Sequence, residues 1–281
     1  VQTCALPIFK PSSCYQHRPG DWIAENQWPS ERIGEQIFYL SNGELTKEPA
    51  AATQIEVASP QTTGQCMPFL GSYGQGTPED PMDQRADDAH SACFDSPVLT
   101  ESFSILGAAS VELDLAANRE QAFVCVRLNE VLVTGESLQV TYGVLNLTHR
   151  HSHENPEDLV PGKRYQVRVQ MNDIAHRFAV GSRIRVAVSN AFWPVVWPSP
   201  QAVNLTLFTG DSRLLLPVRD AQREDTELRA MPPPRQSRPY PVSTLEAAEP
   251  GFTGFEKNME TGMESLDRKS TRLNSSHQII S

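Results

Sequence analysis

Short runs of alternating apolar and polar residues recur through the middle of the chain. The clearest lie at residues 111–115, 138–142, 164–171 and 183–188. Alternation with a period of two places one row of side chains in a core and the other in solvent, which is typical of half-buried antiparallel strands. Further strands are predicted at residues 36–40, 203–208 and 213–217. The pattern therefore predicts an all-β protein.

Turn signals that contain glycine separate these predicted strands. They lie at residues 134–136, 161–163, 180–182 and 209–211. We find no convincing amphipathic helix between them. Many short strands with regular turns favour a β-sandwich or jelly roll over a fold in which strands and helices alternate.

Several segments lack this periodicity. Residues 59–97 are rich in Gly, Pro and Asp and are interpreted as a long loop. Residues 221–240 are predicted to be a Pro-rich linker, and residues 241–267 are a candidate extra hairpin. Residues 1–14 and 268–281 show no core patterning and resemble translated sequencing-adapter sequence. We expect residues 1–14 to be artefactual or an untied end, and residues 268–281 to be an artefactual tail.

Charge and cysteine content narrow the classes of partner. The net charge is -10 and no basic run is present, so we expect neither nucleic-acid nor membrane binding. Five cysteines form an odd set without metal or redox spacing, which favours reduced thiols and a cytoplasmic location. Cys125 lies in an apolar run and is predicted to be a small buried hydrophobe.

The sequence contains no nucleophile elbow of the form Gly-x-Ser-x-Gly. The nearest match is residues 70–74, where Gly71 directly precedes Ser72 in the predicted loop. Because the motif needs a strand before the serine and a helix after it, we expect Ser72 to be a loop residue. No catalytic residue is predicted in this chain.

A histidine cluster offers the strongest metal signal. On one strand, His149, His151 and His153 would share a face, and three imidazoles could bind zinc. The interleaved Arg150 and the Asn-Pro pair at residues 155–156 indicate instead that the strand has ended. We therefore expect no metal and no cofactor, and a zinc site remains the alternative.

Three of the four tryptophans precede proline, at residues 28, 193 and 197. The segment around the last two is too rich in proline for a central strand and is predicted to form an aromatic loop. Buried tryptophans would close one end of the sandwich, whereas a solvent-facing Trp193 or Trp197 would suit a sugar. A carbohydrate-binding β-sandwich module is therefore the alternative function.

A series of short motifs occurs in a fixed order between residues 20 and 220. They are Gly-Asp-Trp at 20–22, Trp-Pro at 28–29, Phe-Tyr-Leu at 38–40, Asn-Gly at 42–43, Asp-Gln-Arg-Ala-Asp-Asp at 83–88, Phe-Asp-Ser at 94–96, Ile-Leu-Gly at 105–107, Thr-His-Arg at 148–150, Leu-Val-Pro-Gly at 159–162, the aromatic loop at 191–200 and Ser-Arg-Leu-Leu-Leu-Pro at 212–217. Together they resemble the C-terminal domain of the cocaine esterase/X-Pro dipeptidyl-peptidase (CocE/NonD) serine hydrolase family.

This resemblance implies an all-β, galactose-binding-like jelly-roll sandwich that packs on an α/β-hydrolase domain earlier in the polypeptide. Residues 15–60 would be the lead-in from that missing domain, and residues 61–220 the jelly roll. Family members hydrolyse esters or amides through a Ser-His-Asp triad. The triad precedes the region present here, and His17 lies too close to the motif at residues 20–22 to be its histidine.

The resemblance also implies a role for the domain. It would stabilise the catalytic domain and wall its substrate cleft, with a small acyl ester, amide or peptide as substrate in the full enzyme. The family loop before Asp-Gln-Arg leans over the acyl pocket, and here that loop contains Met67 and Phe69. We expect these two residues to line the substrate pocket. Asp83, Arg85, Asp87 and Asp88 are expected to form a structural charge network.

Overall fold

A computed structural model describes residues 2–7, 20–49, 51–66, 83–220, 252–260, 264–269 and 275–280. The chain divides into two units, residues 1–71 with 78–228 and residues 72–77 with 229–281. The strands of the first unit are β1 (Gln2–Pro7), β2 (Gly20–Glu25), β3 (Ile33–Leu40), β4 (Leu45–Thr46), β5 (Gln54–Val57), β6 (Ala92–Asp95), β7 (Phe103–Ala117), β8 (Phe123–Val131), β9 (Ser137–Asn146), β10 (Arg164–Phe178), β11 (Arg183–Ser189) and β12 (Leu205–Arg219).

Helices are short in the described ranges. They are a one-turn helix, α1 (Arg85–Asp88), and a 3₁₀ turn at Leu147–His149. No helix there has the length and apolar character needed to cross a bilayer.

The prediction of one long loop over residues 59–97 is wrong in its last third, where α1 and β6 form. The strand β6 is only four residues long and pairs with β11, so its local pattern carries little signal.

Two antiparallel sheets form the sandwich. In the first, the order is β10-β7-β12-β3-β4, and β5 pairs with the part of β12 that β3 does not reach. In the second, the order is β6-β11-β8-β9. The predicted all-β jelly-roll sandwich is confirmed.

The core lies between the two sheets. One cluster of buried side chains includes Val111 and Leu113 of β7, Leu214 of β12, and Val126 and Val186 of β8 and β11. Each such side chain stabilises the fold by roughly 1.5–3 kcal/mol when it is fully buried. The apolar rows that alternate along the strands therefore meet in one continuous core.

Strand β10 follows the predicted alternation residue by residue. Tyr165, Val167, Val169 and Met171 are buried, and the residues between them are exposed. The chain then forms a bulge, because the register with β7 shifts between Gln170 and Asp173. The carbonyl of Asn172, in this bulge, accepts a hydrogen bond of 2.9 Å from the Thr141 hydroxyl of β9.

The sandwich is closed along both sides. On one side, β9 and β10 approach so closely that a Cβ atom on Gly143 would overlap the Gln170 carbonyl oxygen. On the other side, the amide of Asp95 in β6 donates to the carbonyl of Gly43 at 3.0 Å, next to β4. These contacts join the edges of the two sheets.

The turn predicted at residues 209–211 is wrong, because β12 continues through it as one strand of 15 residues. The register with β7 shifts between Phe208 and Arg213, and Gly210 has a φ of 91°. Ser212 stabilises this bulge: its hydroxyl donates to the Phe208 carbonyl at 2.7 Å and accepts from the Asp114 amide at 3.0 Å. A glycine beside polar residues marks a bulge as readily as a turn.

The remaining strands lie in the two end segments. β1 pairs antiparallel with β2, from Gln2 opposite Glu25 to Pro7 opposite Gly20. The second unit contains an antiparallel sheet of β13 (Phe252–Lys257), β14 (Glu264–Lys269) and β15 (Ser275–Ile280), in that order.

Candidate functional site

The candidate site is the base of the predicted loop 67–82, formed by the described residues on either side of it. Met67, Phe69 and Ser72 of this loop, like His17, lie outside the described residues. The residues that flank the loop, Cys66 and Asp83, are described. Their contacts define how the loop is held.

Cys66 is fixed to the Asp-Gln-Arg motif through its backbone. Its amide donates to Asp87 Oδ2 at 3.0 Å, and its carbonyl accepts from Gln84 Nε2 at 3.0 Å. Both partners are buried. The first end of the loop is thus held by two hydrogen bonds that are shielded from water, where such bonds are strongest.

Asp83 fixes the second end of the loop. Its Oδ1 accepts from the Ser137 amide at 3.2 Å and from the Arg85 amide at 3.1 Å, and its Oδ2 accepts from Arg85 Nε at 2.7 Å. Burial alone would raise the pKa of Asp83, but these hydrogen bonds from Arg85 and Ser137 lower it. The carboxylate therefore stays ionised and ties the loop to the start of β9.

A buried polar network supports both ends. Arg127, on the outer face of β8, is fully buried and donates to Gln84 Oε1 at 2.8 Å and to Ser91 Oγ at 2.9 Å. It also pairs with Asp88 Oδ1 at 3.1 Å. A buried charge is tolerated only when it is paired and hydrogen-bonded, so these partners hold α1 against the sheet at Arg127.

The network extends across the second sheet through Asp88. This carboxylate accepts from Asn129 Nδ2 at 3.0 Å and from Arg185 Nη1 at 3.1 Å. Arg185 also forms a bidentate salt bridge with Asp95, in which the Nε–Oδ1 and Nη2–Oδ2 distances are both 2.7 Å. The hydrogen bonds with Asp95 raise the pKa of the Arg185 guanidinium. Of the four residues predicted to form a structural charge network, Asp87 and Asp88 lie in this buried network, and Asp83 and Arg85 form a separate, more exposed pair.

The loop base also packs against the aromatic loop. The Trp193 amide donates to the Thr63 carbonyl at 3.0 Å. Gly64 has a φ of 108°, and a Cβ atom there would lie 2.6 Å from the Trp193 carbonyl oxygen. A glycine is therefore required at this close approach of the two segments.

The aromatic loop contains one buried and one exposed tryptophan. Trp193 is 7% exposed, whereas Trp197 is 69% exposed. The two rings meet edge to face with centroids 5.6 Å apart. Trp193 thus fits the predicted structural packing, and Trp197 is the solvent-facing ring that the carbohydrate alternative requires.

The three candidate zinc histidines are not brought together. His149 lies in the 3₁₀ turn and its Nδ1 is 3.2 Å from His153 Nδ1, while His151 is exposed. Among the residues whose side chains are described, no group of three or more His, Cys, Asp or Glu is placed to hold a metal ion. The chain leaves the strand direction at Leu147, as the Asn-Pro pair indicated.

The lead-in is anchored by a second buried charge cluster. Glu25 accepts from Arg219 Nε at 2.6 Å and from Arg32 Nε at 3.1 Å, and Ser30 also donates to it. Trp22 and Trp28 in the same segment are 50% and 49% exposed. The end of the chain that the resemblance joins to a catalytic domain therefore presents two large apolar rings to solvent.

These features define a β-sandwich module whose buried polar groups hold strands and loops in place. Residues 10–229 match the family described as the X-Pro dipeptidyl-peptidase C-terminal non-catalytic domain, and the chain belongs to this family. The predicted resemblance and the assignment as an accessory domain are confirmed. The description of the domain as non-catalytic implies that a catalytic domain accompanies it in the same polypeptide.

The chain is also similar to individual hydrolases. The cocaine esterase of Rhodococcus sp. (strain MB1 Bresler) is 23% identical over 188 residues, which cover 62% of this chain and 33% of that protein. An aminopeptidase from the marine sediment archaeon Thaumarchaeota archaeon aligns at 18% identity and a TM-score of 0.64, over 71% of this chain and 39% of that one. A CocE/NonD family hydrolase from Staphylococcus aureus aligns at 14% identity and a TM-score of 0.57, over 76% and 40%. The chain thus spans about a third of the esterase.

Proposed function

We propose that this chain stabilises an α/β-hydrolase domain in its own polypeptide and walls one side of that domain's substrate cleft. The full enzyme would hydrolyse a small acyl ester, amide or peptide. Membership of a non-catalytic domain family supports the accessory role. The observation that carries the proposal is that both residues flanking 67–82 are anchored: Cys66 by the buried network, and Asp83 by the Ser137 amide at the start of β9 and by Arg85.

A wall that selects substrates must keep its position while the chemistry proceeds in the other domain. Residues that touch a substrate are held accurately only when supporting side chains are themselves locked. Gln84, Asp87 and Arg127 provide such support beneath Cys66. On this proposal Met67 and Phe69 contact the acyl part of the substrate, and the nucleophile, base and oxyanion hole belong to the catalytic domain.

The test uses the chain joined to its catalytic domain. Phe69→Ala and Met67→Ala are compared with the parent enzyme by measuring kcat/KM for a series of esters with increasing acyl length. We expect the preferred acyl length to change, because truncation enlarges the pocket. Val180→Ala, which shortens an exposed apolar side chain in the turn between β10 and β11, is the matched control. Unchanged preference in both loop variants would reject the cleft-wall role.

The accessory role also predicts that the isolated chain has no hydrolase activity. Its preparation is assayed with an activated ester before and after treatment with a serine-directed phosphonate. We expect no more turnover than a mock preparation purified in the same way shows. Turnover above the mock level, whether or not the phosphonate abolishes it, would show chemistry within this chain and contradict the proposal.

The docking surface of the catalytic domain would include the face of the lead-in that carries Trp22 and Trp28. Exposed apolar area of this kind marks interaction sites. In the joined polypeptide, replacement of both tryptophans by serine should separate one cooperative thermal transition into two, because the domains would no longer stabilise each other.

We place the enzyme in the cytoplasm, which the free thiols of Cys66, Cys93 and Cys125 support.

A further inference from the structure

A groove on the surface of the first unit surrounds the exposed ring of Trp197. One depression of about 350 Å³ is lined by Gln121, Asn146, Thr148, Trp197, Ser199 and Pro200, among others. A second depression, of about 470 Å³, shares Gln121 and Pro200 with the first and adds Arg119, Glu120 and Gln201. We call the two together the Trp197 groove. Their volumes lie in the range of small-molecule sites.

The ring of Trp197 is held in place although most of it is in solvent. Its edge-to-face contact with buried Trp193 fixes the angle between the two rings at 73°. The amide of Val196 donates to the carbonyl of the fully buried Phe192 at 2.8 Å, which holds the preceding backbone. A ligand that stacks on Trp197 therefore meets a ring whose orientation is supported by Trp193, and such preorganisation reduces the entropic cost of binding.

The polar wall beneath the ring is also ordered. Asn146 Oδ1 accepts from the amide and the hydroxyl of Thr148, at 3.1 and 2.9 Å. The Leu147 amide donates to the Ala122 carbonyl at 2.9 Å. With its oxygen engaged in this way, the Asn146 side chain has its NH₂ group left as a donor.

Two glutamines supply further amide groups. Gln121 and Gln201 are exposed, and within the described residues neither side chain has a hydrogen-bond partner. Each amide offers two donors and one acceptor to a ligand. The groove therefore combines a fixed aromatic face with neutral groups that both donate and accept.

This combination matches a neutral sugar better than an ion. The carbon-bound hydrogens on one face of a pyranose ring carry partial positive charge and stack on the negative face of an indole, while its hydroxyls pair with side-chain amides. Arg119 and Glu120 have opposite charges, so the groove has no strong charge of its own. The net charge of -10 disfavours an acidic polysaccharide.

We propose that the Trp197 groove binds a neutral oligosaccharide. A pyranose ring stacks on Trp197, and its hydroxyls hydrogen-bond to Gln121, Asn146 and Gln201. The proposal does not rest on the cleft-wall role, because Gln121, Asn146, Trp197 and Gln201 lie outside the loop 67–82. The aromatic loop is the shared element, since its Trp193 packs on Thr63 and Gly64. Such a site would hold a hydrolase close to a glycan that carries or surrounds its substrate.

The experiment uses this chain and a panel of neutral tetrasaccharides of glucose, galactose, mannose and xylose. Saturation-transfer NMR identifies which of them bind, and calorimetry measures the affinity. We expect Trp197→Ala to weaken binding about tenfold or more, as the loss of a stacking ring at the centre of a site does. Val133→Ala is the control, because it shortens an apolar side chain with 77% exposure in the turn between β8 and β9, outside the groove, and should leave the affinity unchanged.

Gln121→Ala provides a second, independent variant, and we expect it also to weaken binding while the circular dichroism spectrum stays that of the parent chain. Three results would overturn the proposal. They are no binding of any tetrasaccharide, binding that Trp197→Ala leaves intact, and binding of a proline-rich peptide in place of the sugars, which would identify the groove as a peptide site.

Discussion

Arg127 and Asp88 form an ion pair in the interior of the protein, with Nη1 3.1 Å from Oδ1 and side-chain exposures of 0% and 3%. Removing one member of a buried pair leaves the other charged and partly unsatisfied, which costs about 3–5 kcal/mol. The same pair connects β8 to α1 and, through Gln84, to the carbonyl of Cys66. The stability of the sheet and the anchoring of Cys66 therefore depend on one guanidinium.

We predict that Arg127→Met lowers the free energy of unfolding by about 1–3 kcal/mol, because Asp88 and Gln84 lose a buried donor while Asp88 keeps its pair with Arg185. Urea unfolding followed by circular dichroism measures the change. The matched control is Arg85→Ala, since Arg85 pairs with Asp83 from an exposed position and surface pairs contribute little. Equal losses in the two variants would show that burial of the Arg127 pair has no special effect.

The sequence was most informative where one face of a strand meets solvent. Period-two alternation predicted the buried row of β10, from Tyr165 to Met171, because only one side of that strand is covered. The run around Cys125 was correctly predicted as buried. In these strands the positions of the apolar residues directly indicate which side of the strand faces the core.

The sequence was least informative where distant segments meet. Arg127 and Asn129 lie on the outer face of β8, and their partners Gln84 and Asp88 are 43 and 41 residues away. No local pattern shows that a buried strand will carry a charge on its second face. The acidic motif at residues 83–88 was recognised as a network, but the residues across the sheet that complete it were not. The exposure of Trp197 beside buried Trp193 was likewise undetermined, since both precede proline.

The buried carboxylate of Glu25 should make stability depend on pH. Burial alone would raise the pKa of Glu25, but hydrogen bonds from Ser30, Arg219 and Arg32 lower it below its ordinary value of 4.5. A carboxylate with a lowered pKa in the folded state stabilises the fold above its unfolded pKa. That stability is lost as the pH falls through the folded pKa.

We therefore predict that the difference in unfolding free energy between the parent chain and Glu25→Gln is largest above about pH 5 and shrinks as the pH falls below the ordinary pKa. Urea unfolding at a series of pH values measures this difference. Glu31→Gln removes an exposed carboxylate from the same segment and serves as the control. A difference between parent and Glu25→Gln that stays constant with pH would contradict the assignment.

The close approach of β9 to β10, which closes one side of the sandwich, is possible because residue 143 is a glycine and has no side chain. We predict that Gly143→Ala lowers the melting temperature strongly, because its Cβ would overlap the Gln170 carbonyl and the backbone would have to separate. Such overpacking costs typically about 1–3 kcal/mol or more. Gly34→Ala, in β3, has no atom within 4 Å of its new Cβ and should change stability by less than about 0.5 kcal/mol. Similar melting temperatures for the two variants would show that the edges can separate freely.

Three thiols, two buried and one partly exposed at Cys93, provide the last prediction. Burial raises the pKa of Cys66 to about 11, and raises the pKa values of Cys93 and Cys125 to about 12. Because the thiolate is the reactive form, a thiol with a pKa of 11 is only about 0.1% ionised at pH 8. Cys4→Ser and Cys14→Ser are introduced together so that only these three thiols remain.

In that variant, the aromatic disulfide dithiobis(nitrobenzoate) at pH 8 should label none of the three thiols within minutes while the chain is folded. It should label all three at once in urea. Cys66 is the sensitive member, because it lies at the start of the loop 67–82, where opening of the Asp87 and Gln84 hydrogen bonds would expose it first. Arg127→Met should therefore speed labelling of Cys66 more than that of Cys125, which lies in the interior of β8. Rapid labelling of Cys66 in the unmodified fold would mean that the base of the loop opens without help, and that a fixed wall cannot be built on it.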